Sequence, residues 1–120
     1  MIEEYHFGSV TIDGKTYDHD VEVRWDDEVL GWQRSQSHVI DIDDILDALS
    51  QNPETIVIGT GESGMAQVTD DAKEQIKARG VRLIVDKTEQ AVKTFNVRKE
   101  ESIEEEGKEE KVIGLFHLTC

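Results

Sequence analysis

The amino-acid sequence predicts an α/β fold with three layers, in which an antiparallel β-meander at the amino end precedes a mixed central sheet with a βαβαβ carboxyl-terminal half. Two observations carry this prediction. The run Thr55–Ile58 is β-branched without polar alternation, which is typical of a strand buried on both faces of a parallel sheet. Asp13–Gly14 separates two strand-like segments, and this dipeptide suits the positive φ angles of a tight hairpin turn.

Length and charge limit the classes of function. A chain of 120 residues can bury a single core, so we expect one domain over 1–120. The formal net charge of −14 would repel nucleic acid and anionic membranes, and the lysines and arginines are scattered singly. No apolar run reaches the roughly 18 residues of a membrane helix, and Met1–Glu4 lacks the positive start of a signal peptide. Because Cys120 is the single cysteine, we expect a cytoplasmic protein without an internal disulfide.

The first 34 residues predict the meander. Tyr5–Ile12 and Tyr17–Trp25 form its first hairpin, and within the second arm valine alternates with charged residues, which indicates one buried and one wet face. A turn at Asp26–Glu28 leads to a third strand at Val29–Arg34. We therefore expect three consecutive antiparallel strands over 1–34.

Residues 41–118 predict the α/β core. Asp41 is expected to cap a helix whose apolar stripe is spaced i, i+3, i+4, i+7 and which ends before Pro53. The central strand at Thr55–Ile58 follows. The remaining elements are a helix capped by Thr69 and ending at Arg79–Gly80, a buried strand at Val81–Val85, a helix capped by Thr88, and a strand at Val112–Leu118. Between the last two elements, the highly charged stretch 100–111 predicts a frayed helix end and an acidic mobile segment.

A glycine-rich loop after the central strand is the first candidate site. It consists of Gly59, Thr60, Gly61, Glu62, Ser63 and Gly64, which satisfies G-x-G-x-x-G, and Asp86 follows at the spacing of a dinucleotide fingerprint. Two features count against phosphate binding. The helix capped by Thr69 begins too far after the loop for its amino end to hold a phosphate, and Glu62 places a negative charge inside the loop. No Lys-Ser or Lys-Thr pair closes the loop, which excludes a P-loop. We expect Gly61 to adopt a positive φ.

Arg34 and His38 add a second candidate feature, because the polar stretch between them could line a pocket between the meander and the first helix. His38 has the chemistry of an acid or base, although a single loop histidine is more often simply solvated. Together with the glycine loop, these two residues complete the candidate ligand-binding set.

Catalytic and metal-binding patterns are weaker. Ser63 resembles a nucleophile elbow, but its following glycine is displaced by one position. His117 and Cys120 are three apart in a strand and should face opposite sides. Asp41, Asp43 and Asp44 could supply oxygen ligands, yet their spacing suits helix capping better than a calcium loop. The sequence therefore predicts no catalytic residue, no metal site and no cofactor.

Several motifs occur together along almost the whole chain, in the order Phe7–Ser9, Thr11–Gly14 with Tyr17, Asp20–Val21, Ile56–Gly61 with Gly64, and His117–Cys120. In this the sequence resembles the family of the adipogenesis-associated protein and the mitochondrial complex I assembly factor 3, with archaeal and bacterial members of unknown function. The resemblance does not extend to Glu100–Lys111. It implies a three-layer α/β fold and roles in assembling a respiratory complex and in fat-cell differentiation, with no agreed catalytic residues.

These observations favour a non-enzymatic protein-interaction or assembly-factor-like domain. We expect an unidentified protein partner rather than nucleic acid or a membrane, and self-association to a homo-oligomer stays open. The alternative is a small-ligand or nucleotide-binding protein that uses the loop from Gly59 to Gly64, and a hydrolase is the third hypothesis.

Overall fold

The computed structural model describes residues 1–34, 36, 38–106 and 110–120, and only the backbone at 102–106. The described part of the chain forms ten strands and three α-helices. The strands are β1 (Ile2–His6), β2 (Ser9–Ile12), β3 (Lys15–Tyr17), β4 (Val21–Arg24), β5 (Val29–Gly31), β6 (Val39–Ile40), β7 (Thr55–Thr60), β8 (Gln67–Val68), β9 (Arg82–Asp86) and β10 (Val112–His117). The helices are α1 (Leu46–Leu49), α2 (Asp70–Ala78) and α3 (Thr88–Glu106).

A mixed five-stranded sheet forms the centre of the molecule, in the order β5-β4-β10-β7-β9. β7 pairs in parallel with both β10 and β9, whereas β4 is antiparallel to β10 and to β5. Every residue of β7 and β10 is buried, which confirms the prediction for the apolar run at Thr55–Ile58. The middle position, however, belongs to β10, because the last strand inserts between β4 and β7. β9 lies at the edge and is only partly buried, so the prediction of a second buried strand there was wrong.

The amino-terminal strands are antiparallel as predicted, but they divide between two sheets. β1, β2 and β3 form a separate three-stranded sheet, while β4 and β5 join the central one. The predicted arm Tyr5–Ile12 is interrupted by a turn at Phe7–Gly8, where Gly8 has a φ of 85°. The predicted arm Tyr17–Trp25 breaks between β3 and β4. The turn at Asp13–Gly14 is present, with φ angles of 49° and 83°.

Two apolar clusters on opposite faces of the central sheet make the three layers. One cluster joins the sheet to α1 and α2 through residues such as Leu49 and Ile76. The other joins it to α3 and the small sheet through Phe95 and Val10. Successive side chains of β7 lie in alternate clusters, because neighbouring side chains of a strand point to opposite faces of the sheet. Both faces of β7 are buried, which is why its sequence shows no polar alternation. The fold is therefore the predicted mixed α/β class.

The helix starts follow the predicted capping chemistry in two cases. Asp41 accepts a hydrogen bond from the Ile42 amide at 2.8 Å, although the capped element is a 3-10 turn, Ile42–Asp44, followed by the single-turn α1. Thr69 accepts from the Ala72 amide at 3.1 Å and starts α2. Of the segment 100–111 that the sequence predicts to be acidic and mobile, residues through Glu106 extend α3, and 107–109 lie outside the described residues. No described helix is both long and apolar enough to cross a membrane.

Candidate functional site

The glycine loop lies against the Leu118–Cys120 segment that follows β10. Gly61 has a φ of 101°, as expected, because the chain must turn away from β7 within one residue. A β-carbon at Gly61 would come within 2.7 Å of the Thr119 carbonyl oxygen and 2.6 Å of the Cys120 carbonyl oxygen. Glycine is thus required here both for the backbone angle and for the close approach of two backbones.

The backbone amides of the loop are hydrogen-bonded within the chain itself. The amide of Glu62 donates to the Thr119 carbonyl at 2.7 Å, and that of Met65 donates to the Cys120 carbonyl at 3.3 Å. Inside the loop, the Gly64 amide donates to the Gly61 carbonyl at 3.3 Å. A phosphate cradle needs such amides to point at the ligand, and these are already used. The loop is built to hold the Leu118–Cys120 segment.

Thr88 links the loop, β10 and the start of α3. Its hydroxyl donates to the His117 carbonyl oxygen at 2.5 Å and accepts from the Gly61 amide at 2.8 Å. A β-carbon at Gly59 would come within 2.7 Å of this hydroxyl, which explains a second glycine in the loop. The prediction that Thr88 caps α3 was wrong, because Thr88 is the first helical residue and Lys87 supplies the carbonyl that accepts from Ala91.

Behind the loop, Asp20, Arg34 and His117 form a mostly buried polar cluster. Asp20 Oδ2 lies 2.8 Å from both Arg34 Nη2 and His117 Nδ1, and its Oδ1 accepts from the Leu118 amide at 2.9 Å. Burial raises the pKa of Asp20, but the hydrogen bonds from His117, Arg34 and Leu118 outweigh it and hold the pKa of this carboxyl below its usual value. His117 Nδ1 also lies 2.7 Å from Arg34 Nη2, so this nitrogen faces both a carboxylate, which only accepts, and a guanidinium, which only donates.

The other nitrogen of His117 faces a threonine. Nε2 lies 3.4 Å from the Thr119 hydroxyl, so Asp20, His117 and Thr119 follow one another in the order of a hydrolase triad. The contact is longer than the 2.6–3.2 Å or so that proton transfer needs, and the imidazole is 5% exposed. This cluster therefore orders the end of β10 more readily than it activates a nucleophile.

His38 approaches the same segment from another side. Its Nε2 lies 3.8 Å from the Cys120 sulfur, and both residues are exposed. The spacing in the sequence pairs Cys120 only with His117, whereas this contact joins residues 82 positions apart. Arg34 and His38, like the loop, thus contact the stretch His117–Cys120, and the candidate residues from different parts of the sequence share one neighbour.

The acidic residues at the start of the 3-10 turn are engaged as caps. Asp41 also accepts from the Thr69 hydroxyl at 2.8 Å, and hydrogen bonds from Ile42 and then Thr69 lower its pKa. The Asp44 carboxylate accepts from the Asp41 amide at 2.9 Å. Among the residues that the structure describes, no group of three or more histidine, cysteine, aspartate or glutamate side chains is placed to hold a metal ion.

A cavity of about 410 Å³ lies on the other side of the loop. Thr60, Ser63 and Gly64 form one wall, the end of β9 and Lys87 form another, and the first turn of α2, with Asp70 and Lys73, forms the third. Sequence reasoning found the loop wall but not the two lysines. The sequence did contain one signal for a cavity here, which is that the loop follows a strand and precedes α2. Ligands of open α/β sheets bind at the carboxyl ends of the strands.

Two large apolar side chains are exposed next to the Leu118–Cys120 segment. The side chain of Phe7 is 58% exposed and that of Met65 is 53% exposed. The amide of Gly8, which follows Phe7, donates to the Leu118 carbonyl at 2.8 Å, and the Met65 amide donates to the Cys120 carbonyl. Met65 and the neighbour of Phe7 in the sequence are thus hydrogen-bonded to the same short segment, and we call the exposed side chains of Phe7 and Met65 the Phe7–Met65 surface.

Acidic groups lie near this surface. The Tyr5 hydroxyl donates to the Leu118 carbonyl at 3.2 Å. Burial, together with the negative charges of Glu62, Glu89 and Asp20, raises the pKa of Tyr5 to about 12. Burial is the largest cause of this shift, and the three carboxylates add to it because a negative charge disfavours the tyrosinate.

Comparison with known proteins places these features in a family. Residues 2–116 match the family model described as a protein of unknown function, DUF498/DUF598. The crystal structure of conserved hypothetical protein PH1505 from Pyrococcus horikoshii OT3 is 25% identical, with a TM-score of 0.80 over 100% of this chain and 99% of that one. A structure described as MT938 is also 25% identical, with a TM-score of 0.80 over 100% and 98%. A Bordetella pertussis protein described as a Mth938-like domain shares the fold at 16% identity and a TM-score of 0.66 over 98% and 84%.

Proposed function

This chain belongs to the DUF498/DUF598 family of proteins of unknown function, and from that premise we propose that it is a non-enzymatic protein-interaction domain of the assembly-factor type. The observation that carries the proposal is the Phe7–Met65 surface, where two large apolar side chains are more than half exposed around one hydrogen-bonded segment. Large apolar side chains that a folded domain leaves exposed are candidates for contact with a partner protein. The proposed activity is binding, in the cytoplasm, to a protein partner.

Charge indicates the chemistry of that partner. The chain carries a net charge of −14, and Glu62 and Glu89 act electrostatically on Tyr5 beside the proposed surface. A partner with an apolar pocket and a rim of lysines or arginines would complement it. The resemblance to the mitochondrial complex I assembly factor 3 and the adipogenesis-associated protein supports a role of this kind, in which the domain binds another protein rather than transforming a substrate.

The alternative hypothesis, nucleotide binding by the loop from Gly59 to Gly64, has less support. The Glu62 amide donates to the Thr119 carbonyl and the Gly61 amide to the Thr88 hydroxyl, so a pyrophosphate would have to displace hydrogen bonds that hold the fold. A hydrolase has less support again, because the His117 imidazole is buried and Thr119 lies at 3.4 Å. We therefore rank the interaction function first, as the sequence analysis does.

A site-specific crosslink tests the proposal. A photo-crosslinking amino acid placed at position 7 should capture one partner protein in cells, whereas the same group at position 97, which is 48% exposed on α3, should not. The captured protein is then prepared and its affinity is measured for wild type, Phe7→Ser, Met65→Ser and the control Val97→Ser. We expect Phe7→Ser and Met65→Ser each to weaken binding at least about tenfold, as loss of an apolar anchor does. Added salt should also weaken binding if the partner's rim is basic.

Two results would count against the interaction function. The first is unchanged affinity in both Phe7→Ser and Met65→Ser, and the second is an equal loss in Val97→Ser. Capture of a second copy of this chain at position 7 would identify the partner as the protein itself, and sedimentation of Phe7→Ser should then show monomers.

A further inference from the structure

The cavity beside the glycine loop has the position and the size of a small-molecule site. It lies at the carboxyl ends of the parallel strands β7 and β9, where open α/β sheets bind ligands. Its volume of about 410 Å³ falls within the range of roughly 300–1,000 Å³ that such sites have. Neither Phe7 nor Met65 lines the cavity, and Met65 lies between two lining residues, Gly64 and Ala66.

Two lysine side chains contribute positive charge to the lining of this cavity. Within the described part of the chain, neither the Lys73 nor the Lys87 ammonium makes an ion pair or a hydrogen bond. Both lysines are exposed, unlike the paired cations Lys99 and Arg98, which are buried and half-buried. In a protein with a net charge of −14, two ammonium groups on one cavity provide a local attraction for an anion.

The loop makes room for one of these lysines. A β-carbon at Gly64 would come within 3.3 Å of Lys87 Cγ and 3.6 Å of the Thr60 hydroxyl. The stem of Lys87 therefore lies against the third glycine of the loop. Ser63, also in the lining, offers a hydroxyl donor on the same wall.

Two carboxylates in the lining restrict which anion fits. Asp70 lies in the first turn of α2, and Asp86 ends β9, with its Oδ1 accepting from the Lys87 amide at 2.9 Å. These groups repel a ligand with several negative charges, such as a nucleoside triphosphate, but they accept hydrogen bonds from hydroxyl groups. The lining therefore matches a molecule with one anionic end and several hydroxyls.

We propose that this cavity binds a small phosphorylated polyol, with its phosphate between Lys73 and Lys87 and its hydroxyls donating to Asp70 and Asp86. The proposal is independent of the interaction function, since the charged side chains that it uses are not part of the Phe7–Met65 surface. Either proposal can fail while the other stands.

Isothermal titration of the full chain tests the proposal with four probes: ribose 5-phosphate, ribose, inorganic phosphate and ATP. We expect ribose 5-phosphate to bind more tightly than inorganic phosphate, because only it also satisfies the carboxylates, and more tightly than ribose, which lacks the anion. ATP should bind most weakly of the three anions. No heat with ribose 5-phosphate at millimolar concentration, or equal affinity for inorganic phosphate, would overturn the proposal.

Charge-removing variants locate the site. Lys73→Gln and Lys87→Gln should each weaken ribose 5-phosphate at least about tenfold, the loss expected for a charge-assisted contact. Lys77→Gln is the matched control, because it removes the same charge from an exposed position of the same helix that does not line the cavity. Asp70→Asn should reduce the preference for ribose 5-phosphate over inorganic phosphate. Equal effects of Lys73→Gln and Lys77→Gln would show that only the general charge matters and would refute the site.

Discussion

A β-carbon at Gly61 would lie only 2.6 Å from the carbonyl oxygen of Cys120. The two backbones are this close because Glu62 and Met65, on the loop, donate to Thr119 and Cys120. The glycine loop and the segment after β10 therefore form one packed unit, and any side chain at position 61 would push the two backbones apart.

Gly61→Ala should lower the free energy of unfolding by about 1–3 kcal/mol, because it adds a steric clash to the strain of a φ of 101°. Urea denaturation measures the change. Gly80→Ala is the control: Gly80 has a φ of 74°, but no atom lies within 4 Å of the point that a β-carbon would occupy there, so the backbone strain alone should cost about 1 kcal/mol. If the two variants lose equal stability, the contact with Cys120 is not what requires glycine.

Thr88→Val should destabilise the fold by about 1–3 kcal/mol, because it keeps the shape of the side chain but leaves a buried amide and a buried carbonyl without their partner. The affected groups are the Gly61 amide and the His117 carbonyl. Thr94→Val, at a half-buried position of the same helix, controls for the change in helix propensity. Denaturant midpoints that coincide for the two variants would contradict a linking role for Thr88.

Local features of this fold were predictable from the sequence. Three kinds of feature were predicted correctly: the β-branched run of β7, the positive φ of Gly61, and the caps at Asp41 and Thr69. Each is determined by residues that are close together in the sequence, and local sequence patterns can therefore predict it. The split of the meander was missed because a single glycine, Gly8, marks its extra turn within an otherwise strand-like run.

The polar contacts of the site were not predictable in the same way. Asp20 meets His117 over a separation of 97 residues, and His38 meets Cys120 over 82. The first pairing exists because β10 inserts beside β4, and the second needs the residue before β6 to meet the segment after β10. Strand order is a property of the whole chain that no local pattern encodes. The lysines of the cavity were missed for the same reason, since they come together only when α2 and the end of β9 pack beside the loop.

Asp20→Asn should lower the melting temperature at neutral pH, and its difference from wild type should shrink in acid. The pKa of the Asp20 carboxyl is lower in the folded chain than in the unfolded one, where it is about 3.9. Its contribution to stability is therefore fully present above that pH and is lost as the pH falls through the folded-state pKa. Thermal denaturation from neutral pH to about pH 3 tests this, with the exposed neighbour Asp18→Asn as the charge control. A difference between Asp20→Asn and wild type that stays constant across this range would refute the assignment.

Tyr5 should ionise at about pH 12, which ultraviolet absorbance of the tyrosinate can follow in a Tyr17→Phe background that leaves one tyrosine. Because the folded-state pKa is raised above the ordinary value of 10.0, the neutral phenol contributes stability that is present below that pH and is lost as the pH rises toward 12. Glu62→Gln should lower the pKa of Tyr5 only in part, since burial is the largest cause of the shift and the charge of Glu62 comes second. Glu74→Gln, on α2 at the opposite face of the sheet, should leave the titration unchanged. A Tyr5 titration that is the same in Glu62→Gln as in wild type would show that the charge of Glu62 does not act on Tyr5, and would remove this support for a basic partner.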